Sequence, residues 1–298
     1  MNIQLMSRSR LDVVRYDRCV AESVLPMPYA FSAHLDVVAS RWKVVVLGDY
    51  DLVMPIAYNR KLLGVPQIYH PFFAQQLGAF GRYQRDVVWV KAMLNALSKF
   101  YVRIQMQLNA ANPVPTIPGW TFRQRTNFEL DLHQAYSEIR KNYRKGHKAN
   151  IKSAQTKHLR IERGTIGAKD FARLGVGQKG VVSLARLPEL VELYGKDSIW
   201  VARLVSGEIG AFGFFPTLSR FVKGQERVVY MIGHTTALGR KVFSGHFLLD
   251  AVIHEYAGQG GIFDFEGSEL PGVASFFRGF GPVDVPYVLA ERGNGIAV

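Results

Sequence analysis

Two stretches of the chain share one order of apolar and polar runs. RWKVVVLGDYDLVMPIAY, residues 41 to 58, is an apolar run, a turn signal at Gly48-Asp49 and a second apolar run, which predicts two strands joined by a tight turn. IWVARLVSGEIGAFGFFP, residues 199 to 216, predicts the same, with its turn at Ser206-Gly207-Glu208. Trp42 and Trp200 lie 158 residues apart, and the two turns keep that offset. In the first stretch GVPQIYHPFFAQQLG follows as a further extended segment. Asp86 then caps a predicted helix, DVVWVKAMLNALSKF, whose apolar positions Val90, Met93, Leu94 and Leu97 fall on one face. The alternating YVRIQMQLN predicts a strand after it. In the second stretch RVVYMIGHT predicts a strand, Ser244 caps a helix, SGHFLLDAVIHEYAG, ended by Gly258, and GIFDFEG predicts the next strand. The helices begin at 86 and 244, again 158 apart.

The repeated unit is hairpin, strand, helix, strand, an α/β arrangement with mixed sheets flanked by helices. NAANPVPTIPGW concentrates Pro, Gly and Asn and marks a boundary. The expected domains are 1–120 and 121–298. The second opens on a strand, TFRQRTNFELDL, and includes a basic helix over 136–158.

Charge then changes the picture. The 298 residues carry a formal net charge of +13, which suggests an anionic partner. Between residues 138 and 163 nine Lys or Arg stand against two Glu, a net +7. Arg140, Arg144, Lys148 and Lys152 recur every four residues and predict one ridge. Like charges so spaced cost a few tenths of a kcal/mol per pair, so the ridge either faces an anion or stays in water. Tyr143 and His147, interleaved with these charges, could stack on bases or lie along a phosphate backbone. The composition, 48% hydrophobic and 20% charged, fits a chain with a sizeable core. The lone Cys19 allows no internal disulfide. The start of the chain has no signal-peptide core, and the longest apolar stretch, Ile199 to Phe215, is interrupted by Arg203 and Glu208. The expectation is a cytoplasmic protein without a membrane span.

Two further stretches carry a resemblance. The basic Asn142-Tyr143-Arg144-Lys145-Gly146-His147-Lys148-Ala149-Asn150-Ile151-Lys152-Ser153-Ala154 is similar to the R-x-x-I-x-x-A helix of Fem-like proteins. Phe263-Asp264-Phe265-Glu266-Gly267-Ser268, followed by Phe276-Phe277-Arg278-Gly279-Phe280-Gly281, is similar to their DF-G…F-K/R-x-x-F-G ending. With the doubled unit, the chain resembles the Fem family of tandem GNAT-fold acyltransferases. The resemblance implies an aminoacyl-tRNA or acyl-CoA co-substrate, no tightly bound cofactor, and an acceptor that is nucleotide-linked or otherwise anionic. It also implies that the first unit contributes to the acceptor cleft, where His70 and Gln75 are candidates. One departure stands out. The GNAT pattern Q/R-x-x-G-x-G/A is here Arg240-Lys241-Val242-Phe243-Ser244-Gly245, with Phe243 at the first glycine.

Acyl transfer to an amine needs a proton acceptor, oxyanion stabilisation and a positioned donor. Strand alternation predicts Asp264 and Glu266 on one face, where one carboxyl's pKa would rise and supply a base, or both would pair with Arg278. Tyr230 and His234 share a face of the preceding strand, with His234 a possible proton relay. Arg240, Lys241, Ser244 and Gly245 are candidate donor-phosphate contacts. No metal-ligand spacing occurs among the eight His. The competing readings are a non-catalytic binder of nucleic acid or another anion on the same scaffold, and a CoA-dependent enzyme acting on a small or lipid-linked amine.

Overall fold

Alternation and capping build the first unit. A computed structural model describes residues 1–60, 64–166, 170 and 184–293. After β1 (Ile3–Ser7), α1 (Val13–Ala21) starts where the Asp12 side chain accepts the Arg15 amide, and it buries Tyr16, Cys19 and Val20. Then come α2 (Ser32–Val38), β2 (Trp42–Leu47) and β3 (Leu52–Arg60). The last two form the predicted hairpin, in register from Trp42↔Ala57 to Leu47↔Leu52, closed through Gly48 at φ +59°. β4 (Pro66–Tyr69), β5 (Phe80–Gly81), α3 (Val87–Ser98), β6 (Arg103–Leu108) and β7 (Trp120–Arg125) follow. Asp86 caps α3 through the Val88 amide, and Val90, Met93, Leu94 and Leu97 are its buried face. β4 runs antiparallel to β3 and parallel to β6.

A buried amide network completes this sheet. Asn112 Oδ1 accepts the Ala79 amide at 2.8 Å, and Asn112 Nδ2 donates to the Ala79 and Gln84 carbonyls. Asn109 Nδ2 donates to the Leu77 and Ala79 carbonyls, and Gln84 Nε2 donates to Asn109 Oδ1. These bonds hold the chain beyond β4 flat, so that Leu77 bridges Leu108 in parallel and β5 pairs with β3. The gap between β3 and β6 is therefore filled.

The second unit begins with β8 (Phe128–Asp131), α4 (Tyr136–Lys141), α5 (Lys145–Thr156) and β9 (Arg160–Arg163). It continues with α6 (Leu187–Tyr194) and the second predicted hairpin, β10 (Ile199–Arg203) and β11 (Ile209–Phe214), which turns through Gly207 at φ +86°. β12 (Arg227–Val229), β13 (Ile232–Thr235), α7 (Ala237–Lys241), α8 (Ser244–Tyr256), β14 (Ile262–Asp264), α9 (Pro271–Arg278) and β15 (Val283–Asp284) complete it. β12 and β14 are parallel, as β4 and β6 are in the first unit. Unlike the first unit, this one has two four-stranded sheets, β13-β11-β10-β9 and β12-β14-β8-β15. A core of Phe128, Ile139, Ile151, Phe215, Leu249, Phe263, Phe265 and Phe280 packs between them and the helices.

The chain then returns: β16 (Tyr287–Arg292) lies between β6 and β7 in the first unit's sheet. The units are Met1–Arg125 with Pro286–Val298, and Thr126–Val285. The boundary thus falls at 125/126 rather than 120/121, and the end of the chain belongs with its beginning. Three predicted elements are divided. TFRQRTNFELDL splits into β7 and β8, one in each unit. RVVYMIGHT splits at Tyr230-Met231 into β12 and β13. The helix expected over 136–158 is two helices, because the chain turns at Asn142–Arg144, where the Arg144 amide donates to the Gly279 carbonyl at 2.9 Å. Among the described residues no helix is long and apolar enough to cross a membrane.

The amide network gives a test of the fold. Asn112→Leu strands the Ala79 N–H and the Gln84 carbonyl in the interior, while Asn109 still serves the Ala79 carbonyl, at about 1–3 kcal/mol for each uncompensated group. We expect at least about 2 kcal/mol lost in urea denaturation; a loss under 0.5 kcal/mol contradicts the assigned role.

Candidate active site in the second unit

The second unit's sheet opens at one place. Tyr230 N donates to the Asp264 carbonyl at 2.8 Å, the last backbone bond between the β12 side and β14. Beyond it β13 pairs with β11 alone. The Tyr230 ring lies in the opening. It stacks on Phe215 at 5.1 Å and meets the Phe277 edge at 5.8 Å. Its floor is glycine: a Cβ on Gly233 would sit 2.0 Å from Tyr230 Oη, and one on Gly213 would sit 3.0 Å from the ring. Tyr230 and His234 are therefore not one strand face, since the chain breaks between them. His234 is half-buried on β13 beside Phe212. Burial, with Arg240 nearby, lowers its pKa and keeps it neutral.

The two carboxylates at the end of β14 have different surroundings. Asp264 is fully buried, and its Oδ2 takes Arg227 Nη1 at 2.6 Å while Oδ1 takes the Glu266 amide at 2.9 Å. Arg227 also holds Glu129 at 2.8 Å. Asp264 is thus the structural partner of a buried guanidinium. Glu266 leaves the strand in the left-handed region, φ +55°, which costs a non-glycine residue on the order of 1 kcal/mol or more. Gly267 after it could carry no side chain, because a Cβ there would lie 1.9 Å from the Thr126 carbonyl oxygen. Glu266 Oε1 is shielded from solvent and has no hydrogen-bond partner among the described residues. Burial, and then the Asp264 charge, push its pKa well above the usual carboxylate range. The two carboxyls therefore do not share a strand face, and neither pairs with Arg278. Arg278 lies over the Phe128 ring at 4.7 Å and bonds Asp284 on β15.

The loop after β13 ends at a helix N-terminus. Thr236 caps α7 by accepting the Gly239 amide, and Gly239 packs so tightly on the Gly210 carbonyl that a Cβ would stand 1.8 Å away. Phe243, at φ +60°, takes the left-handed position that the GNAT pattern gives to glycine. It, not Ser244, is the N-cap of α8. Ser244 is the first helical residue, fully buried, its Oγ against Gly210. The opening amides of α8 have no side-chain cap. Arg240 and Lys241 are exposed beside them, with Gly245 against Thr235 and Lys157 Nζ 5.3 Å over the Phe243 ring. Uncapped amides flanked by cations are a candidate anion seat. The chain reaches these amides from β13, which follows β12, and β12 runs parallel to β14, the strand that leads to Glu266.

The basic segment is less uniform than its spacing suggests. Arg144 is the N-cap of α5 and bonds Ser275, while Lys148 Nζ donates to the Lys141 carbonyl at the end of α4. Arg140 lies along the Tyr136 ring and Lys152 is exposed. Tyr143 is buried edge-on to Phe280 at 5.1 Å and cannot stack on a base. His147 Nε2 donates to the Phe276 carbonyl at 2.9 Å, and its ring packs on His246 and Phe280. In the first unit His70 Nδ1 accepts the Gln107 amide and Nε2 donates to the Ala74 carbonyl. Burial lowers its pKa to about 4, so it serves as a neutral brace. Gln75 Oε1 accepts from Gln76. Among the described residues no three His, Cys, Asp or Glu gather as a metal site requires. The sequence reading missed Arg227, Glu129 and Lys157, whose roles depend on pairings between distant strands and helices.

Hairpin, antiparallel strand, helix and parallel strand, formed once in each unit, make this a tandem GNAT fold. Superposition on solved structures agrees. FemX matches with a TM-score of 0.67 over 97% of both chains at 10% identity. A GNAT-family acetyltransferase from Colwellia psychrerythraea matches at 0.54, 8% identity, over 98% of this chain and 99% of that one. The C-terminal domain (DUF2156) of a protein described as a lysylphosphatidylglycerol synthetase, from Agrobacterium fabrum, matches at 0.51, 14% identity, over 95% and 92%. No protein-family model and no curated protein matches the sequence.

Glu266 makes stability depend on pH in a defined direction. Its folded pKa is raised, so its contribution is full below the unfolded value of about 4.3 and is lost as pH rises through the folded value. In urea denaturation at pH 4, 6 and 8, Glu266→Gln should gain on the parent as pH rises, by up to about 1.4 kcal/mol per unit. A pH-independent difference contradicts the assignment.

Proposed function

We propose that the protein is an N-acyltransferase, moving an acyl or aminoacyl group from a CoA thioester or an aminoacyl-tRNA to an amine. The observation that carries this reading is Glu266: a strained carboxyl whose shielded Oε1 has no hydrogen-bond partner among the described residues, at the edge where the second unit's sheet opens. Strain and an orphaned carboxyl are costly, and such costs collect at functional sites. The anion seat at Arg240, Lys241, Gly245 and the start of α8 would hold donor phosphates. The acceptor nitrogen attacks the donor carbonyl carbon and a tetrahedral oxyanion forms. Glu266 as carboxylate takes the proton that the nitrogen sheds, and as carboxylic acid returns it to the departing sulfur or ribose oxygen. One proton thus passes from amine to leaving group, and a raised pKa suits a group that does both. His234, on β13, would pass protons to solvent. Asp264 takes no part in this reading, because Arg227 holds it.

Phe243 favours a tRNA donor over CoA, since its side chain occupies the position where the GNAT loop presents bare glycine backbone. Arg140 and Lys152 remain free to meet RNA phosphates. The same features suit the second reading, a non-catalytic anion binder, which would bind RNA with a steep salt dependence and no turnover.

Two outcomes test the proposal in a transfer assay with charged tRNA and acyl-CoA donors. Glu266→Gln should lower kcat about 100-fold or more with donor affinity unchanged. Arg240→Gln with Lys241→Gln should raise the donor KM while kcat stays within about twofold. Unchanged turnover in Glu266→Gln, or no turnover with any donor by the parent, removes the catalytic reading.

A further inference from the structure

The proposed transfer leaves one side chain at the opening of the second unit's sheet without a part, Tyr230. It stands at the apex, between the last backbone bond from the β12 side to β14 and the start of β13. Asp264 fixes its backbone and that of Glu266 together. The Asp264 carbonyl accepts Tyr230 N at 2.8 Å, and Asp264 Oδ1 accepts Glu266 N at 2.9 Å. Arg227, on the strand that leads to Tyr230, holds Oδ2 at 2.6 Å. Tyr230 and Glu266 therefore depart from one fixed anchor, the first toward β13 and the second past the end of β14.

Glycine clears a bed for the Tyr230 ring. Gly213 on β11 and Gly233 on β13 are direct partners in the ladder. The ring lies across that pair: a Cβ on Gly213 would stand 3.0 Å from its Cε2, and one on Gly233 only 2.0 Å from its Oη. Phe215 stacks on it at an interplanar angle of 15°, and Phe277 meets it edge-on at 79°. The ring is thus held on three sides and carries its hydroxyl out over β13. There Oη has no hydrogen-bond partner among the described residues. An unpaired phenol in a largely buried place is a cost, and such costs gather at functional sites. Burial raises its pKa, so the hydroxyl keeps its proton at neutral pH; it can donate a hydrogen bond but cannot serve as a base. Phe215, Phe277 and the two glycines around it offer no side-chain donor of their own.

We propose that the Tyr230 hydroxyl is a catalytic group that donates a hydrogen bond to the carbonyl oxygen of the acyl group as that oxygen becomes anionic. This rests on the transfer reading. The lone pair of the acceptor nitrogen forms the C–N bond, and the π pair of the carbonyl moves onto oxygen, where the Tyr230 O–H meets it. Tyr230 keeps its proton throughout. When the pair returns, the bond to sulfur or ribose oxygen breaks, and the leaving group takes its proton from Glu266. A proton acceptor and an oxyanion donor then stand on either side of one opening. A hydroxyl already fixed by ring packing needs no reorganisation at the moment of reaction, which is what makes such donors effective.

The experiment compares the full chain with Tyr230→Phe, which keeps the ring and loses only the hydroxyl. Acetyl-CoA and a pool of aminoacylated tRNA are the donors, and hydroxylamine is the amine. In Tyr230→Phe kcat should fall about 100-fold or more with donor KM within about twofold, as for the loss of one oxyanion donor. The thermal midpoint should hold or rise, because the hydroxyl bonds no protein group. A kcat within about threefold of a working parent's overturns the proposal and leaves the transfer reading standing, provided Glu266→Gln still loses turnover in the same assay. A fall in kcat accompanied by a midpoint lower by more than about 4 °C also overturns it, since that marks a packing role. If the parent turns over neither donor, the transfer reading fails and this inference falls with it.

Discussion

The second unit depends on one buried guanidinium. Arg227, on β12, reaches Asp264 on β14 and Glu129 on β8, and all three side chains are nearly or wholly out of solvent. A buried charge pair adds little net stability over a good apolar packing, yet breaking it by removing one member costs about 3–5 kcal/mol. Its consequence here is geometric. The three strands are clamped together up to Asp264, the β12–β14 ladder ends one residue later at Tyr230, and the chain is then free to cross to β11. Where the sheet opens follows from where the clamp ends. The same clamp occupies Asp264 and leaves Glu266, two residues on, as the carboxyl without a partner.

The two units show what that opening means. They share strand order and nearly the same spacing, but the first fills the equivalent gap with its own backbone, held by Asn109, Asn112 and Gln84. Leu77 and β5 pair where the second unit leaves an opening. The first sheet is sealed there; the second is open, with a helix N-terminus following β13 and a strained carboxyl following β14. The two units differ in this respect while sharing their element order, and β16 returns the chain to the sealed sheet.

Much of this was legible in the sequence because it rests on local periodicity. The hairpins at 41–58 and 199–216, the cap at Asp86 and the buried face of α3 follow from residue order alone. So does the doubling, through the 158-residue offset. What was not legible rests on competition between distant partners. The apolar run through Val229, Tyr230, Met231 and Ile232 reads as one strand, and nothing local shows that its halves pair with different sheets. The basic segment reads as one helix because Arg140, Arg144, Lys148 and Lys152 keep helical spacing; the turn at Asn142–Arg144 is made by the Gly279 carbonyl, more than 130 residues away. Tyr143 and His147 looked available for bases because their neighbours are charged, yet Phe280 and Phe276 claim them. Ser244 looked like a cap by residue type, but the helix starts one residue earlier in space, with Phe243 in the left-handed conformation. Asp264 and Glu266 were found by motif and alternation, and only the Arg227 contact separates their roles.

The account stands on Glu266 holding its proton when ordinary carboxylates have lost theirs. The direct measurement is a carbon-13 NMR titration of glutamate side-chain carboxyls, with the resonance assigned by its absence in Glu266→Gln. The account predicts a midpoint well above the usual carboxylate range, apart from the other glutamates. A Glu266 resonance that titrates near pH 4 with the exposed glutamates would contradict it.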